Sequence, residues 1–135
     1  MAVSPWSVPP WTQQVPAGVS FTKEIDLLSS FAQQAAAAGC RVVPESELEF
    51  ETREFADLVV ERKLDGARLM FGLSQKGPRD ASRIDVLTRP RTGHAVLRER
   101  DGQWRLVLGS TFLHPEPVES LGLAGLLRAL LDDRA

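Results

Sequence analysis

The stretch ERKLDGAR, residues 61 to 68, brings three reactive side-chain types close together in the chain. Lys63 carries an amine that can act as a nucleophile, while Asp65 and Arg68 carry the carboxylate and guanidinium groups that hold a sugar or a phosphoryl group. Further along, the stretch DVLTRPRTG adds Arg89 as a second candidate contact for sugar or phosphate. These residue types and their spacing indicate nucleotide or phosphate handling as one interpretation.

The pattern in this stretch is a lysine, any residue, Asp-Gly, any residue and an arginine. It resembles the nucleotidyl-attachment motif of ATP-dependent DNA ligases and related nucleotidyltransferases. The resemblance implies that Lys63 takes AMP as a phosphoramide, that Asp65 and Arg68 hold the ribose and neighbouring groups, and that Arg89 lies on the strand after the motif. The chain contains no lysine after Lys76, so the last lysine motif of that family has no counterpart and a complete ligase is excluded.

The same residues also have a purely structural interpretation. Asp65 and Gly66 separate two apolar runs, and Asp-Gly favours a hairpin turn because it accepts positive φ. A second pair, Asp101 and Gly102, stands between alternating segments in LRERDGQWRLVL. This repetition predicts that the chain builds two similar hairpins and that residues 63 to 68 need no further chemistry.

The other reactive side chains are too scattered to predict a catalytic or metal site. His94 and His114 lack partners at the spacing of zinc ligands, and Cys40 is the only cysteine, so neither a redox pair nor an intrachain disulfide can form. We therefore expect no metal, no cofactor and no catalytic activity.

Length and composition are those of one ordinary globular domain. The chain has 135 residues, of which 43% are hydrophobic and 25% charged. It has no apolar run long enough to span a bilayer and no basic, apolar leader at its start. Together with the lone cysteine, these features predict a cytoplasmic protein that does not enter a membrane.

Charge is distributed unevenly along the chain. Residues 62 to 105 carry eleven basic and five acidic side chains, a net charge of +6, whereas the whole chain has a net charge of −2. Such asymmetry indicates either a surface for phosphate or an acidic partner, or opposite charges that pair across the strands of one sheet. The sequence leaves both interpretations open.

The first 19 residues predict an extended arm, because they hold four of the nine prolines, and proline fixes φ and removes a hydrogen-bond donor. Trp6 and Trp11 are candidate contact residues in this arm, since large aromatic side chains gain most by being covered. The rest of the chain, residues 20 to 135, is expected to form one domain. The two tryptophans would be covered either by that domain or by a partner.

Two helices are predicted in that domain. The first spans residues 22 to 38, with apolar side chains at three- and four-residue spacing and Gly39 as a left-handed end. The second follows Pro117 and carries a broad leucine face, including Leu123 and Leu127, which is either core or a contact surface for a partner.

A period of two predicts an antiparallel meander of five or six strands between the helices. The candidate segments are residues 40 to 43, 46 to 52, 57 to 63, 67 to 74, 84 to 89, 94 to 100 and 103 to 112. A helix competes for residues 46 to 62, because Leu48, Phe55 and Leu58 also fit a helical period. That choice stays open.

These elements predict an α+β fold in which an N-terminal arm and helix precede the meander and a C-terminal helix packs on one face of the sheet. We expect a non-enzymatic protein-binding or adaptor module that acts on another protein or a second copy of itself through the arm, the last helix or a basic sheet face. A first alternative is a nucleotide- or nucleic-acid-binding module that uses Lys63, Asp65, Arg68 and Arg89. A second alternative is a cup for a small apolar ligand.

Overall fold

The computed structural model describes residues 22 to 73, 83 to 108 and 112 to 132. Within these ranges, three α-helices accompany seven strands that form a single antiparallel sheet. The α+β prediction is therefore confirmed, with seven strands in place of the expected five or six. The predicted arm, including Trp6 and Trp11, lies outside the described residues, and the division into arm and domain stays a prediction.

The elements follow one another along the chain in a simple order. The α-helices are α1 Thr22–Gln34, α2 Phe50–Phe55 and α3 Val118–Leu127; a 3₁₀ turn, Glu45–Glu47, precedes α2 and a π turn, Arg128–Asp132, follows α3. The strands are β1 Cys40–Val42, β2 Leu58–Arg62, β3 Arg68–Leu73, β4 Arg83–Arg89, β5 Gly93–Arg100, β6 Gln103–Leu108 and β7 Phe112–Pro117. Each strand pairs with the next, so the sheet is a meander from β1 to β7.

One face of the sheet carries the main core. Along β4 and β5 every second side chain is buried, and those side chains pack with α1 and α3. Phe31 of α1 lies against Phe71 of β3, with ring centroids 5.2 Å apart. The largest fully buried side chains of this core are Phe31, Leu58, Leu69, Phe71, Ile84, Leu97, Leu106, Leu123 and Leu126. The C-terminal helix thus packs on the sheet as predicted, and α1 shares the same face.

A smaller apolar cluster lies on the opposite side of the sheet, at the β1 end. It contains the buried side chains Val43, Leu48, Ala56, Val59 and Met70, with Phe55 and Leu87 packed against them. Among the described residues, this cluster includes none from β5 or β6. The segment before β2 therefore covers only part of this side of the sheet.

The strand predicted over residues 46 to 52 was wrong. Glu45–Glu47 forms a 3₁₀ turn and Phe50–Phe55 forms α2, so the helical alternative is correct for part of this segment. The alternation that suggested a strand does not divide the side chains between core and solvent, because Leu48 is buried whereas Phe50 is 65% exposed. The same alternative fails after α2, because β2 begins at Leu58.

The strand predicted over residues 103 to 112 is confirmed as β6, Gln103–Leu108, and Phe112 begins a further antiparallel strand, β7, that was not predicted. Strand β7 extends to Pro117, which the sequence placed at the first position of the last helix. Two prolines are tolerated there because β7 is the outermost strand and one edge of its backbone has no ladder to join. The helix begins one residue later, at Val118.

A glycine with positive φ closes the turn after α1, and another interrupts α3. The helix α1 ends at Gln34, four residues earlier than predicted, and residues 35 to 39 form a turn that closes at Gly39 with φ 76°, as expected for a left-handed end. Inside α3, Gly122 has φ 65° and interrupts the helix. The side-chain oxygen of Gln34 then accepts a hydrogen bond of 2.8 Å from the amide of Leu123, and this bond joins α1 to α3.

The two Asp-Gly turns differ from each other, contrary to the expectation that they are alike. Asp101 and Gly102 both have positive φ, 55° and 82°, and they form the two-residue turn predicted between β5 and β6. Asp65 and Gly66 belong to the longer link from residue 63 to residue 67, in which Gly66 alone has positive φ. Within the described ranges, no helix is long and apolar enough to cross a membrane.

Candidate functional site

The link between β2 and β3 is held by an ion-pair network around Arg62. The guanidinium of Arg62 donates to both carboxylate oxygens of Asp65, at 3.0 and 2.7 Å, and to Asp132 at 3.0 Å. Asp65 also accepts a hydrogen bond of 3.1 Å from the amide of Ala67. These contacts, with Arg62 first, lower the pKa of Asp65 to about 2. The carboxylate of Asp65 therefore stabilises the link in which it lies.

A second network neutralises Arg68. Arg41, Glu61 and Arg68 lie opposite one another on β1, β2 and β3. One oxygen of Glu61 accepts from Arg41 at 2.9 Å and the other from Arg68 at 2.8 Å. Hydrogen bonds from both guanidinium groups lower the pKa of Glu61. Here the prediction that opposite charges pair across the sheet is correct.

The structure brings together only part of the nucleotide-handling set. Asp65 and Arg89 line one pocket, and Arg68 lies opposite Arg89 in the register of β3 and β4. Lys63 is exposed on the link, where its backbone amide donates to the carbonyl of Gly39 at 2.9 Å. Its side chain does not line that pocket.

The leucines predicted as a partner surface on the last helix lie in the main core. Leu123 is 0% exposed and Leu127 is 3% exposed. Both pack with the sheet and α1, so neither forms part of the described surface.

The side of β4 to β6 that faces away from α1 and α3 carries a concentration of arginines. We call it the arginine face and define it by the side chains that alternate with the buried ones: Arg83, Asp85, Leu87, His94, Val96, Arg98, Arg100, Gln103, Arg105 and Val107. Four arginines and one aspartate give it a net charge of 4 − 1 = +3 with the histidine neutral. All ten side chains are exposed or half-buried.

Three of these arginines lie in one row across the sheet. Arg83 of β4 is opposite Arg98 of β5, which is opposite Arg105 of β6. Like charges directly opposite each other on adjacent strands destabilise a sheet, because their side chains lie only about 5 Å apart at the Cβ atoms. The repulsion within the row therefore lowers the stability of the sheet, and the fold does not require arginines at these three positions.

The two outer arginines of this row, Arg83 and Arg105, form hydrogen bonds with neighbouring side chains. Arg83 donates to Asp85 at 2.9 and 3.2 Å, and His94 lies 3.1 Å from the same carboxylate oxygen. Arg105 donates to the side-chain oxygen of Gln103 at 3.1 Å. Arg98, in the middle of the row, makes no hydrogen bond or ion pair with any residue that the structure describes.

The sequence predicted a basic sheet face but did not identify these residues. The excess of positive charge in residues 62 to 105 was visible, and so was the alternation within each strand. The row itself depends on the register of three strands, which places Arg98 opposite two other arginines. A one-residue change in register would move alternate side chains to the other face.

Comparison of the chain with protein-family models, with curated protein sequences and with solved structures finds no match. The geometry therefore defines the protein by its own features: an antiparallel sheet with α1 and α3 on one side and an arginine face on the other. In the described ranges, no group of three histidine, cysteine, aspartate or glutamate side chains is placed to hold a metal ion.

Proposed function

We propose that this protein is a binding module whose arginine face docks an acidic segment of another protein. The observation that supports the proposal is the row formed by Arg83, Arg98 and Arg105. An acidic partner would lie over three like charges and relieve their mutual repulsion. The relief of this repulsion would then add to the free energy of binding.

The composition of the arginine face suits a protein partner. Its apolar members are the half-buried aliphatic side chains Leu87, Val96 and Val107, which alternate with the charged ones. Aliphatic and guanidinium groups together match the mixed apolar and polar contact of a protein interface, in which arginine is enriched.

Two features favour an acidic protein over a nucleic acid. Nucleic-acid platforms stack bases on aromatic side chains, and the ten side chains of the arginine face include no phenylalanine, tyrosine or tryptophan. The whole chain has a net charge of −2, which weakens the long-range attraction of a polyanion such as DNA or RNA. A short acidic segment is attracted by the local field of the arginine face alone.

The test is the binding of fluorescent decaglutamate to the full chain at low and at physiological salt. We expect Arg98→Glu to weaken binding by roughly tenfold, because it reverses the central charge of the row, and we expect added salt to weaken binding by the wild type. Arg53→Glu is the matched control. Arg53 is exposed on α2, it is not one of the ten residues of the arginine face, and its side chain has no partner among the described residues.

Two results would contradict the proposal. The first is equal binding of decaglutamate by the wild type and by Arg98→Glu. The second is tighter binding of a single-stranded oligonucleotide of equal charge, lost in Arg98→Glu and kept in Arg53→Glu, which would assign the arginine face to nucleic acid.

A further inference from the structure

A pocket of about 260 Å³ lies at one end of the sheet, separate from the arginine face. It opens where β2 and β4 end and where the π turn after α3 packs against them. Its charged wall is formed by Arg62, Asp65, Arg89 and Arg91, and its apolar wall includes Leu130 and Leu131. None of these six is among the ten residues of the arginine face, although Arg89, at the end of β4, continues the alternation of that face.

The charged wall has an excess of positive charge. Three guanidinium groups and the Asp65 carboxylate line it, and the carboxylate of Asp132 also binds Arg62, so the net charge of these five groups is 3 − 2 = +1. The carboxylate of Asp65 is already engaged by Arg62, which it contacts through both oxygens. An anion that enters the pocket therefore meets a carboxylate that is paired with Arg62, and it meets Arg89 at the end of β4.

The end of β4 and the turn after it are fixed by their own hydrogen bonds. The buried hydroxyl of Thr88 donates to the carbonyl of Arg91 at 2.7 Å. The Nη1 atom of Arg89 donates to the carbonyl of Thr88 at 2.9 Å, which leaves its Nη2 and Nε atoms without a described partner. The guanidinium of Arg89 is thus held at the pocket with donors available to a ligand.

The pocket lining also has an apolar part. Leu130 and Ala67 are each 3% exposed, and Leu131 is half-buried against the main core. We propose that this pocket binds a small organic anion, with its carboxylate or phosphate on Arg89 and a short apolar part against Leu130 and Leu131. The volume is close to the lower end of the range for small-molecule sites, so the ligand is small.

The proposal is tested by amide NMR titration of the full, ¹⁵N-labelled chain with hexanoate, hexyl phosphate, inorganic phosphate and neutral hexanamide. We expect saturable shifts at the amides of Arg89, Arg91, Leu130 and Leu131 with hexanoate or hexyl phosphate, and the tighter of the two identifies the headgroup. Arg89→Gln should weaken that binding roughly tenfold, because it removes the charge but keeps a donor. Arg53→Gln, at an exposed arginine of α2 that does not line the pocket, should leave it unchanged.

Three results would overturn the proposal. One is the absence of saturable shifts at these amides with both alkyl anions. Another is equal affinity for inorganic and hexyl phosphate, which would show that the leucines do not bind the apolar part of the ligand. Equal affinity for hexanoate and hexanamide would likewise show that the arginines do not bind its charge. The third is unchanged binding by Arg89→Gln, whose own amide spectrum reports whether it remains folded.

Discussion

At the scale of single residues, Asp57 is a carboxylate whose surroundings strongly favour its neutral form. It lies just before β2, and its Oδ2 atom accepts a hydrogen bond of 2.8 Å from the amide of Leu73. Burial raises the pKa of Asp57 to about 7, and the bond from Leu73 offsets part of that rise. The folded protein therefore carries an acid that titrates near neutral pH.

This shift predicts how stability depends on pH. Between about pH 4, where an exposed aspartate titrates, and about pH 7, the folded state holds the proton of Asp57 more tightly than the unfolded chain does. The contribution of Asp57 to the free energy of unfolding is thus full at low pH and falls as pH rises, by at most about 1.4 kcal/mol per pH unit. Ionised and buried, Asp57 destabilises the fold above about pH 7.

The substitution Asp57→Asn tests this dependence, because an amide oxygen still accepts the bond from Leu73 but carries no charge. We expect Asp57→Asn to be more stable than the wild type at pH 8 and to lose that advantage at pH 4, measured by urea unfolding. Asp101→Asn, in the exposed turn between β5 and β6, should follow the wild type at both values. Parallel pH profiles for Asp57→Asn and the wild type would show that Asp57 does not carry the effect.

At the scale of elements, the docking of α2 on β3 depends on the absence of one side chain. A Cβ atom on Gly72 would lie 2.5 Å from the carbonyl oxygen of Phe55 and 3.1 Å from its ring. A backbone oxygen cannot rotate away as the end of a long side chain can, so α2 would have to shift. Gly72 is therefore required for the close approach of α2.

We predict that Gly72→Ala lowers the free energy of unfolding by about 1–3 kcal/mol, the usual cost of forcing an extra carbon into a packed site. Chemical denaturation of the purified variant measures it. A variant as stable as the wild type would mean that α2 moves off β3 at no cost.

The elements show what the sequence could and could not predict. Segments with a strong period, such as α1 and β4, were placed within a few residues, because their apolar side chains face the main core, with Leu87 of β4 as the exception. Residues 46 to 52 were misassigned, since a short alternation of glutamate and apolar residues fits both periods and only packing shows that Phe50 faces away from the core.

The candidate sites were predicted less well than the fold, for a related reason. The excess of basic residues is a property of composition, but the row through Arg98 exists only once three strands are in register. The pocket joins Arg89 to Leu131 across long chain separation, and no spacing in the sequence relates these two residues.

Strand register also predicts a measurable cost of the arginine row. Arg98→Thr removes the charge that lies opposite both Arg83 and Arg105, so we expect it to raise the free energy of unfolding at low salt by about 0.5 kcal/mol. Arg100→Thr is the matched control, because Arg100 lies on the same face of β5 but opposite Gln103. Both changes gain the same strand propensity, so the difference between the two variants reports the repulsion.

That difference should shrink as salt screens the charges. Urea unfolding of both variants at two salt concentrations measures it. If Arg98→Thr gains no more than Arg100→Thr at low salt, the three arginines do not repel one another in the folded protein.

At the scale of the whole molecule, the sheet separates two environments. Its inner side forms the main core with α1 and α3, and this packing supplies the stability that the arginine face reduces. Its outer side combines a small apolar cluster near β1 with the arginine face over β4 to β6. A chain with a net charge of −2 thus presents a positive surface over the outer side of β4 to β6.

The most direct test of docking on the arginine face is to map where an acidic peptide binds. Decaglutamate added to the ¹⁵N-labelled full chain should shift the amides of β4, β5 and β6 in a saturable and salt-sensitive way, and leave those of α1 and α3 unchanged. Shifts confined to the helices, or the same shifts in Arg98→Glu, would contradict docking on the arginine face.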